Sequence, residues 1–296
     1  MATSPPRAAR LPVPTGWEAL SLGLLGVGLF AFSLPMTRLA VGSAQQPQLS
    51  PEFVALGRAA VAGVLAAMAG GVVFGFPLLT AMALRQVDAV HASLILALLP
   101  LFTAAMGAVL ARQRPSLGFW ACAVLGSALV MAYTLLHGAP GVPLHVHVAD
   151  ALLVGAMLAA ALGYALGAHL TQSRPAGQVI SWALVLSLPF TLPAAYWLRP
   201  VVAVQASAWG GFAYVAVVSM WLGFLAWYRA LAVGGTVRIS QLQLLQPFLS
   251  MLAAAALLHE PLDVITLLFA SGVLGVVFLA RRMPVHAARN PTPKRS

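Results

Sequence analysis

Charge is what this sequence has least of. Sixteen Lys+Arg and six Asp+Glu make up 7% of its 296 residues, against about 25% in a soluble domain. Hydrophobic residues reach 61% and the mean hydropathy is +0.93. No water-soluble enzyme can hide that much apolar surface, and no disordered chain has so little charge. Cysteine is nearly absent too. Cys122 stands alone, which excludes an internal disulfide and a cysteine-based metal site. There is no Gly-Lys-Ser/Thr phosphate loop, so ATP is not the driver and no cofactor is implied. An intramembrane enzyme lacks support: the sequence has no paired intramembrane aspartates, no Gly-x-Ser-x-Gly and no His-rich metal set. The basic residues form no stripe with interleaved aromatics, so the net charge of +10 does not mark a nucleic-acid binder.

What is present is a series of long apolar runs, each near the roughly 20 residues that cross a bilayer. They fall at about 17–40, 51–69, 71–87, 89–111, 116–137, 149–171, 177–198, 207–231, 235–258 and 262–281. The expected fold is all-α: a polytopic membrane protein of about ten transmembrane helices. Stretch 51–88 is short for two spans meeting at Gly70-Gly71, and one span there remains an alternative. Residues 1–16 read as a cytoplasmic tail, 17–138 as a first repeat, 139–148 as an outer linker, 149–282 as a second repeat, and 283–296 as a basic, disordered cytoplasmic tail. With both termini inside, 12 of the 16 basic residues are cytoplasmic, and Glu52, Asp88, Asp150, Glu260 and Asp263 lie outside. That partition obeys the positive-inside rule.

The two halves resemble each other at an offset of 147 residues. Ala83-Leu84 falls on Ala230-Leu231, Ser93 on Ser240, Leu98 on Leu245, Pro100 on Pro247, and Gln113 on Glu260. The spans carrying Pro100 and Pro247 cross in opposite directions, so the two five-helix repeats are inverted, as in many secondary transporters.

A set of local marks accompanies the repeat. Leu34-Pro35-Met36-Thr37-Arg38 ends span 1 and Arg58 lies in span 2. Trp227-Tyr228-Arg229-Ala230-Leu231 closes span 8. Ser240-Gln241-Leu242-Gln243-Leu244-Leu245-Gln246-Pro247 opens span 9, with Glu260 beyond it. In order and spacing these resemble the EamA-type transporters of the drug/metabolite transporter superfamily, over about residues 17–282. The resemblance implies ten spans in two inverted five-helix repeats and export or exchange of small metabolites, often amino acids. Three departures stand out. Gln113 replaces a usual acidic residue. Ala165 and Leu166 follow Tyr164 where some relatives carry a carboxylate. About 22 residues are missing from 51–88, because Pro51 to Ala83 spans 32 residues and Ala176 to Ala230 spans 54.

Polar groups inside a membrane are costly and usually face a cavity, so they are the substrate-site candidates. Arg58 either binds a substrate carboxylate or snorkels to the outer interface. Gln243, Gln246 and Ser250 share a helical face by i, i+3, i+7 spacing; they bind substrate or bond neighbouring helices. Ser93, the repeat-mate of Ser240, shares both readings. Tyr164 and Trp221 lie deep enough to line a cavity. Trp227 and Tyr228 read as an interfacial aromatic belt. Arg38, nearer the interface, reads as an anchor. Pro35, Pro100 and Pro247 fall within spans, as hinges or as packing kinks. His145 and His147 do not make a metal site. All six carboxylates sit at span ends or in outer loops, which predicts facilitated or exchange transport without a buried carboxylate relay. The expected partners are a small-molecule substrate and membrane lipids, with no nucleic acid and no obligate protein partner. A degenerate, non-transporting paralogue or scaffold is the alternative.

Overall fold

The computed structural model describes residues 16–42, 46–67, 95–137, 148–258 and 263–287. The early helices are α1 (Gly16–Ala31), α2 (Ser33–Val41), α3 (Pro51–Ala67), α4 (Leu99–Leu110) and α5 (Leu117–His137). Then come α6 (Val148–Thr171), α7 (Ala176–Val185), α8 (Leu188–Trp197) and α9 (Ala206–Ala213). A π-helical segment (Tyr214–Gly223) leads into α10 (Phe224–Gly234) and α11 (Thr236–Ile239). A 3-10 segment (Ser240–Leu245) precedes α12 (Gln246–Leu258) and α13 (Val264–Arg282). Two short strands, β1 (Gln113–Pro115) and β2 (Val285–Ala287), pair antiparallel with Arg114 opposite His286.

Six stretches among the described residues are long and apolar enough to cross a membrane: Gly16–Val41, Leu117–Leu136, Ala151–Thr171, Ala206–Gly234, Thr236–Leu257 and Val264–Arg282. A seventh is the pair α7 and α8, bent by 55° at their junction. These seven match seven of the expected runs to within three residues at each end. Span 3, the Gly70-Gly71 junction, the start of span 4, Asp88, Ser93, His145, His147 and Glu260 lie outside the described residues.

The distribution of side chains is inside-out relative to a soluble protein. Phe190 is 66% exposed and Leu268 65%, while Gln241, Ser240 and Thr103 are wholly buried. A solvent of hydrocarbon explains this, because apolar side chains lose nothing by facing lipid and polar ones must turn inward.

Most spans are interrupted, and a proline follows nearly every interruption. Proline lacks an N–H for the carbonyl four residues back. The first span breaks at Phe32 between α1 and α2, ahead of Pro35. The α7–α8 bend falls at Leu186–Ser187, ahead of Pro189. Pro100 and Pro247 are each the second residue of their helices, α4 and α12. Helix α4 begins at Leu99 and α12 at Gln246, 147 residues apart. Helices α5 and α13 begin at Leu117 and Val264, again 147 apart. The offset read from residue identities thus recurs in helix starts.

Two expectations are corrected here. Trp227 is fully buried and Tyr228 is 6% exposed, so they form no interfacial belt. They face inward because Met220, Gly223, Trp227 and Leu231 recur at helical spacing and are all buried. Small residues receive them. A Cβ on Gly26 of α1 would sit 3.2 Å from the Trp227 backbone nitrogen, and the Phe30 ring meets Trp227 edge-on at 6.4 Å. The Arg229–Glu18 ion pair (3.2 Å) closes the same α1–α10 seam at its half-exposed end. The second correction concerns the basic tail: Val285–Ala287 is ordered as β2, and Arg238 donates to the Met283 carbonyl at 3.3 Å.

Glycine is required where Tyr228 crosses α6. A Cβ on Gly167 would lie 2.3 Å from the Tyr228 ring, whereas one on Gly163 meets nothing within 4 Å. Gly167→Ala is therefore expected to lower stability by about 1–3 kcal/mol through overpacking. Gly163→Ala, by contrast, leaves stability unchanged or slightly raised through helix propensity. Thermal unfolding of the two variants in detergent makes the comparison.

Candidate functional site

Arg58 sits seven residues into α3, about 10 Å from Pro51 at 1.5 Å per residue. Helix α3 is made of small residues around it, Gly57, Ala59, Ala60 and Ala62, which lets α7, α8 and the π-helical segment pack closely on it. The Arg58 Nε atom is fully buried and has no hydrogen-bond partner among the described residues. Among the described residues no carboxylate pairs with this guanidinium. Unpartnered buried nitrogens are rare in folded proteins and call for an explanation.

Tyr164, on α6, is the residue nearest to providing one. It is 9% exposed, and its ring is held by Phe224 and Trp227, both at 6.0 Å between centroids. Its hydroxyl lies within electrostatic reach of Gln243 and of Arg58. Gln243 comes from the 3-10 segment and is 5% exposed, and its Oε1 atom is left without a donor. Pro247, four residues on, cannot donate to the Gln243 carbonyl, so the proline that breaks span 9 also loosens the backbone beneath this amide. Arg58, Tyr164 and Gln243 thus come from three separate elements, and Arg58 and Gln243 each keep a buried side-chain atom unpartnered.

Trp221 lies in the π-helical segment, half-buried, and its indole N–H donates to Ser181 of α7 at 3.2 Å. Gln246 is the first residue of α12 and half-buried; no hydrogen bond joins it to the trio. Ser250 is buried with its hydroxyl unpartnered. Pro35 stands three residues past the break in span 1. The π-helical segment reaches that break at two points: the Ser33 hydroxyl donates to Ser219 at 2.6 Å, and Tyr214 donates to the Leu29 carbonyl at 3.2 Å. Long π-helical stretches are rare and concentrate at functional sites. Ser93 lies outside the described residues.

Three further residues belong here: Trp227, which the sequence suggested as interfacial, Gln241, one of the polar groups that span 9 offers, and Pro189, which the sequence reading left out. Trp227 presents a buried indole N–H without a partner, beside Tyr164. Gln241 donates to the Pro100 carbonyl at 3.5 Å and to Ser240 at 3.4 Å, with its Oε1 unpartnered. This contact ties together the elements that carry the repeat-related prolines. Pro189 marks the sharpest bend. The available signals were the helical spacing of Trp227 with Met220 and Leu231, and the Leu-Pro-Phe sequence in the middle of a span. Among the described residues no three His, Cys, Asp or Glu gather to hold a metal ion, and Cys122 is buried.

The profile of the EamA-like transporter family matches residues 147–282. The chain is 41% identical over 283 residues to the uncharacterized transporter YdeK of Bacillus subtilis, covering 88% of this chain and 96% of that relative. Since 88% of 296 residues is about 260, about 22 of those 283 positions have no residue here. A solved crystal structure, 17% identical, superposes with a TM-score of 0.71 over 89% of this chain and 96% of its own. That likeness shows a shared fold.

The arrangement generates a test of whether Arg58 serves stability. A guanidinium held by structural bonds costs about 3–5 kcal/mol when removed. An unpartnered one costs the folded state instead. Arg58→Met is therefore expected to leave the unfolding midpoint in detergent unchanged or higher.

Proposed function

This chain belongs to the EamA-like transporter family, and from that premise we propose that it is a secondary transporter of small metabolites, amino acids and related compounds among them. It works by alternating access across the bacterial inner membrane, exporting or exchanging its substrate, with both termini cytoplasmic. Its architecture on this reading is ten spans in two inverted five-helix repeats, the shortened first one packing against the second. The 147-residue offset, recurring in identities and in the starts of two helix pairs, supports that register. The lopsided placement of basic residues supports the orientation.

The observation that carries the reading is a set of buried polar atoms left unpartnered in the bundle, Arg58 Nε, Gln241 Oε1 and Gln243 Oε1 among them. The set draws on α3 of the first repeat and the 3-10 segment of the second, and substrate sits between the repeats in inverted-repeat transporters. Its members keep unused hydrogen-bonding capacity, as a binding site must. Substrate takes up that capacity, and Trp221, Gln246 and Ser240 line the path. Breaks at Pro35, Pro100 and Pro247 let half-helices rock without unfolding, because the carbonyls they free are buried in protein rather than exposed to lipid. With no carboxylate in the described middle of any span, transport is facilitated or by exchange, without a proton relay through a buried acid.

A second reading has one observation behind it. About 22 residues are missing relative to the second half and to the Bacillus relative, and a chain that lost them could persist as a non-transporting paralogue or scaffold. Reconstitution separates the two. Proteoliposomes holding the purified chain are expected to show counterflow of labelled metabolites with equal pH on both sides, and Arg58→Met to reduce it at least tenfold. Uptake that appears only under an imposed pH gradient contradicts the exchange mode, and no transport of any compound class supports the scaffold reading.

A further inference from the structure

We propose that the basic end of the bundle carries a binding site for an anionic glycerophospholipid. The site is built on the β1–β2 strand pair. It takes the headgroup phosphate, with the acyl chains on the adjoining lipid-facing surface. The inference is independent of where a transported substrate binds.

The strand pair gathers the cations. In the register of β1 and β2, Arg114 stands opposite His286, and directly opposed residues of an antiparallel pair share one face. Arg281 and Arg282 end α13, and the chain then passes through Met283 into β2. The Met283 carbonyl accepts from Arg238 of α11 at 3.3 Å, so a third element brings its guanidinium to the residue next to Arg282. The Ser116 N–H donates to the Pro284 carbonyl at 3.0 Å, which fixes this stretch against the start of α5. Arg112 stands two residues before Arg114, with a φ of 48°. That is left-handed backbone, which glycine holds with least strain. An arginine kept there at a conformational cost points to a use for its side chain.

No carboxylate answers this cluster. Helices α4, α5, α11 and α13 and both strands contain no acidic residue. Glu18, the acid at this end of the bundle among the described residues, is already paired with Arg229 at 3.2 Å. Arg112, Arg114, Arg238, Arg282 and His286 are exposed, and Arg281 is half-buried. Phosphate suits such a set, because its oxygens accept charge-assisted, bidentate hydrogen bonds from guanidinium groups.

The surface beside the cations separates a lipid from a soluble phosphate. Val109, 71% exposed, stands three residues before Arg112, and Leu117, 88% exposed, stands three after Arg114. Phe278 and Leu279 are exposed on α13. They lie one turn before Arg281 and Arg282 respectively, on shared helical faces by i, i+3 spacing. The cations therefore cap an apolar, lipid-facing surface. A free anion meets only the cap, whereas a phospholipid meets both parts. Basic pockets at the cytoplasmic ends of membrane helices bind anionic headgroups in this way. Since β1 belongs to the first half of the chain and β2 to the second, the headgroup sits across their seam.

Lipid titration of the purified whole chain in neutral detergent tests this, read by native mass spectrometry and by the unfolding midpoint. Phosphatidylglycerol is expected to bind at least tenfold more tightly than phosphatidylcholine and to raise the midpoint, while sn-glycerol 3-phosphate at the same concentration does neither. Arg114→Gln and Arg282→Gln, made singly, are each expected to weaken phosphatidylglycerol about fivefold, the loss of one basic contact at a membrane surface. Arg174→Gln removes the same charge from the exposed turn between α6 and α7 and is expected to change the affinity less than twofold. Equal binding of the two lipids overturns the inference. So does an effect of glycerol phosphate matching that of the lipid, which would mark a free-anion site. A loss in Arg174→Gln as large as in the other two also overturns it, since net charge alone would then explain the binding. Arg114 and Arg282 stand on different elements, so either variant decides if the other does not fold.

Discussion

A half-buried guanidinium whose Nε has no hydrogen-bond partner is the constraint on which this structure turns. Burying a charge without a partner is among the most expensive things a protein can do, and a membrane interior offers no water to soften the cost. Arg58 is nonetheless held on a helix of small residues, packed on three sides, with no hydrogen-bond partner for its Nε among the described residues. The described elements packed on α3 carry no acid that could answer it. A fold that maximised its own stability would fill this position with leucine. Keeping the charge makes sense when the partner arrives from outside and leaves again.

The helix breaks follow from the same economy of polar groups. Each proline-linked interruption frees a backbone carbonyl that lipid could not solvate, and the protein covers these places with side chains from other elements. Gln241 reaches the Pro100 carbonyl, Ser33 meets Ser219, and Tyr214 reaches Leu29 near the break in the first span. The interruptions are therefore joints within the bundle, stitched by single hydrogen bonds rather than by continuous helix. Weak stitches of this kind are cheap to remake, since a hydrogen bond inside a membrane protein contributes about 0.6 kcal/mol on average. Rocking one half-helix against another exchanges such bonds without tearing the tightly packed α1–α10 seam, where Gly26 and Trp227 touch.

Much of this was legible in the residues themselves. Apolar length located seven spans to within three residues, because hydrocarbon thickness fixes helix length directly. The paired prolines and serines gave the 147-residue offset, and helix starts at Leu99 and Gln246 follow it. Arg58, Tyr164 and Gln243 were legible as candidates because polar residues are rare in these runs. Which of their atoms stay unpartnered was not, since that depends on how the elements around them pack, and no local pattern encodes packing. Trp227 was misread for a related reason. Its place near the end of an apolar run resembles an interfacial belt, and only the glycines of α1 turn it into a buried contact. The pairing of β2 with β1 was hidden as well, because three residues of tail carry too little pattern to distinguish a strand from a loop.

Access to Arg58 from water is the central claim, and a cysteine placed there reads it most directly. The native thiol, Cys122, is buried and is replaced by alanine to give a clean background. The account predicts that Arg58→Cys in this background reacts with a membrane-impermeant, negatively charged thiol reagent, and that a transported substrate slows the reaction. A residue 58 thiol that stays unreactive from both sides of the membrane, in protein shown to be folded, would contradict it.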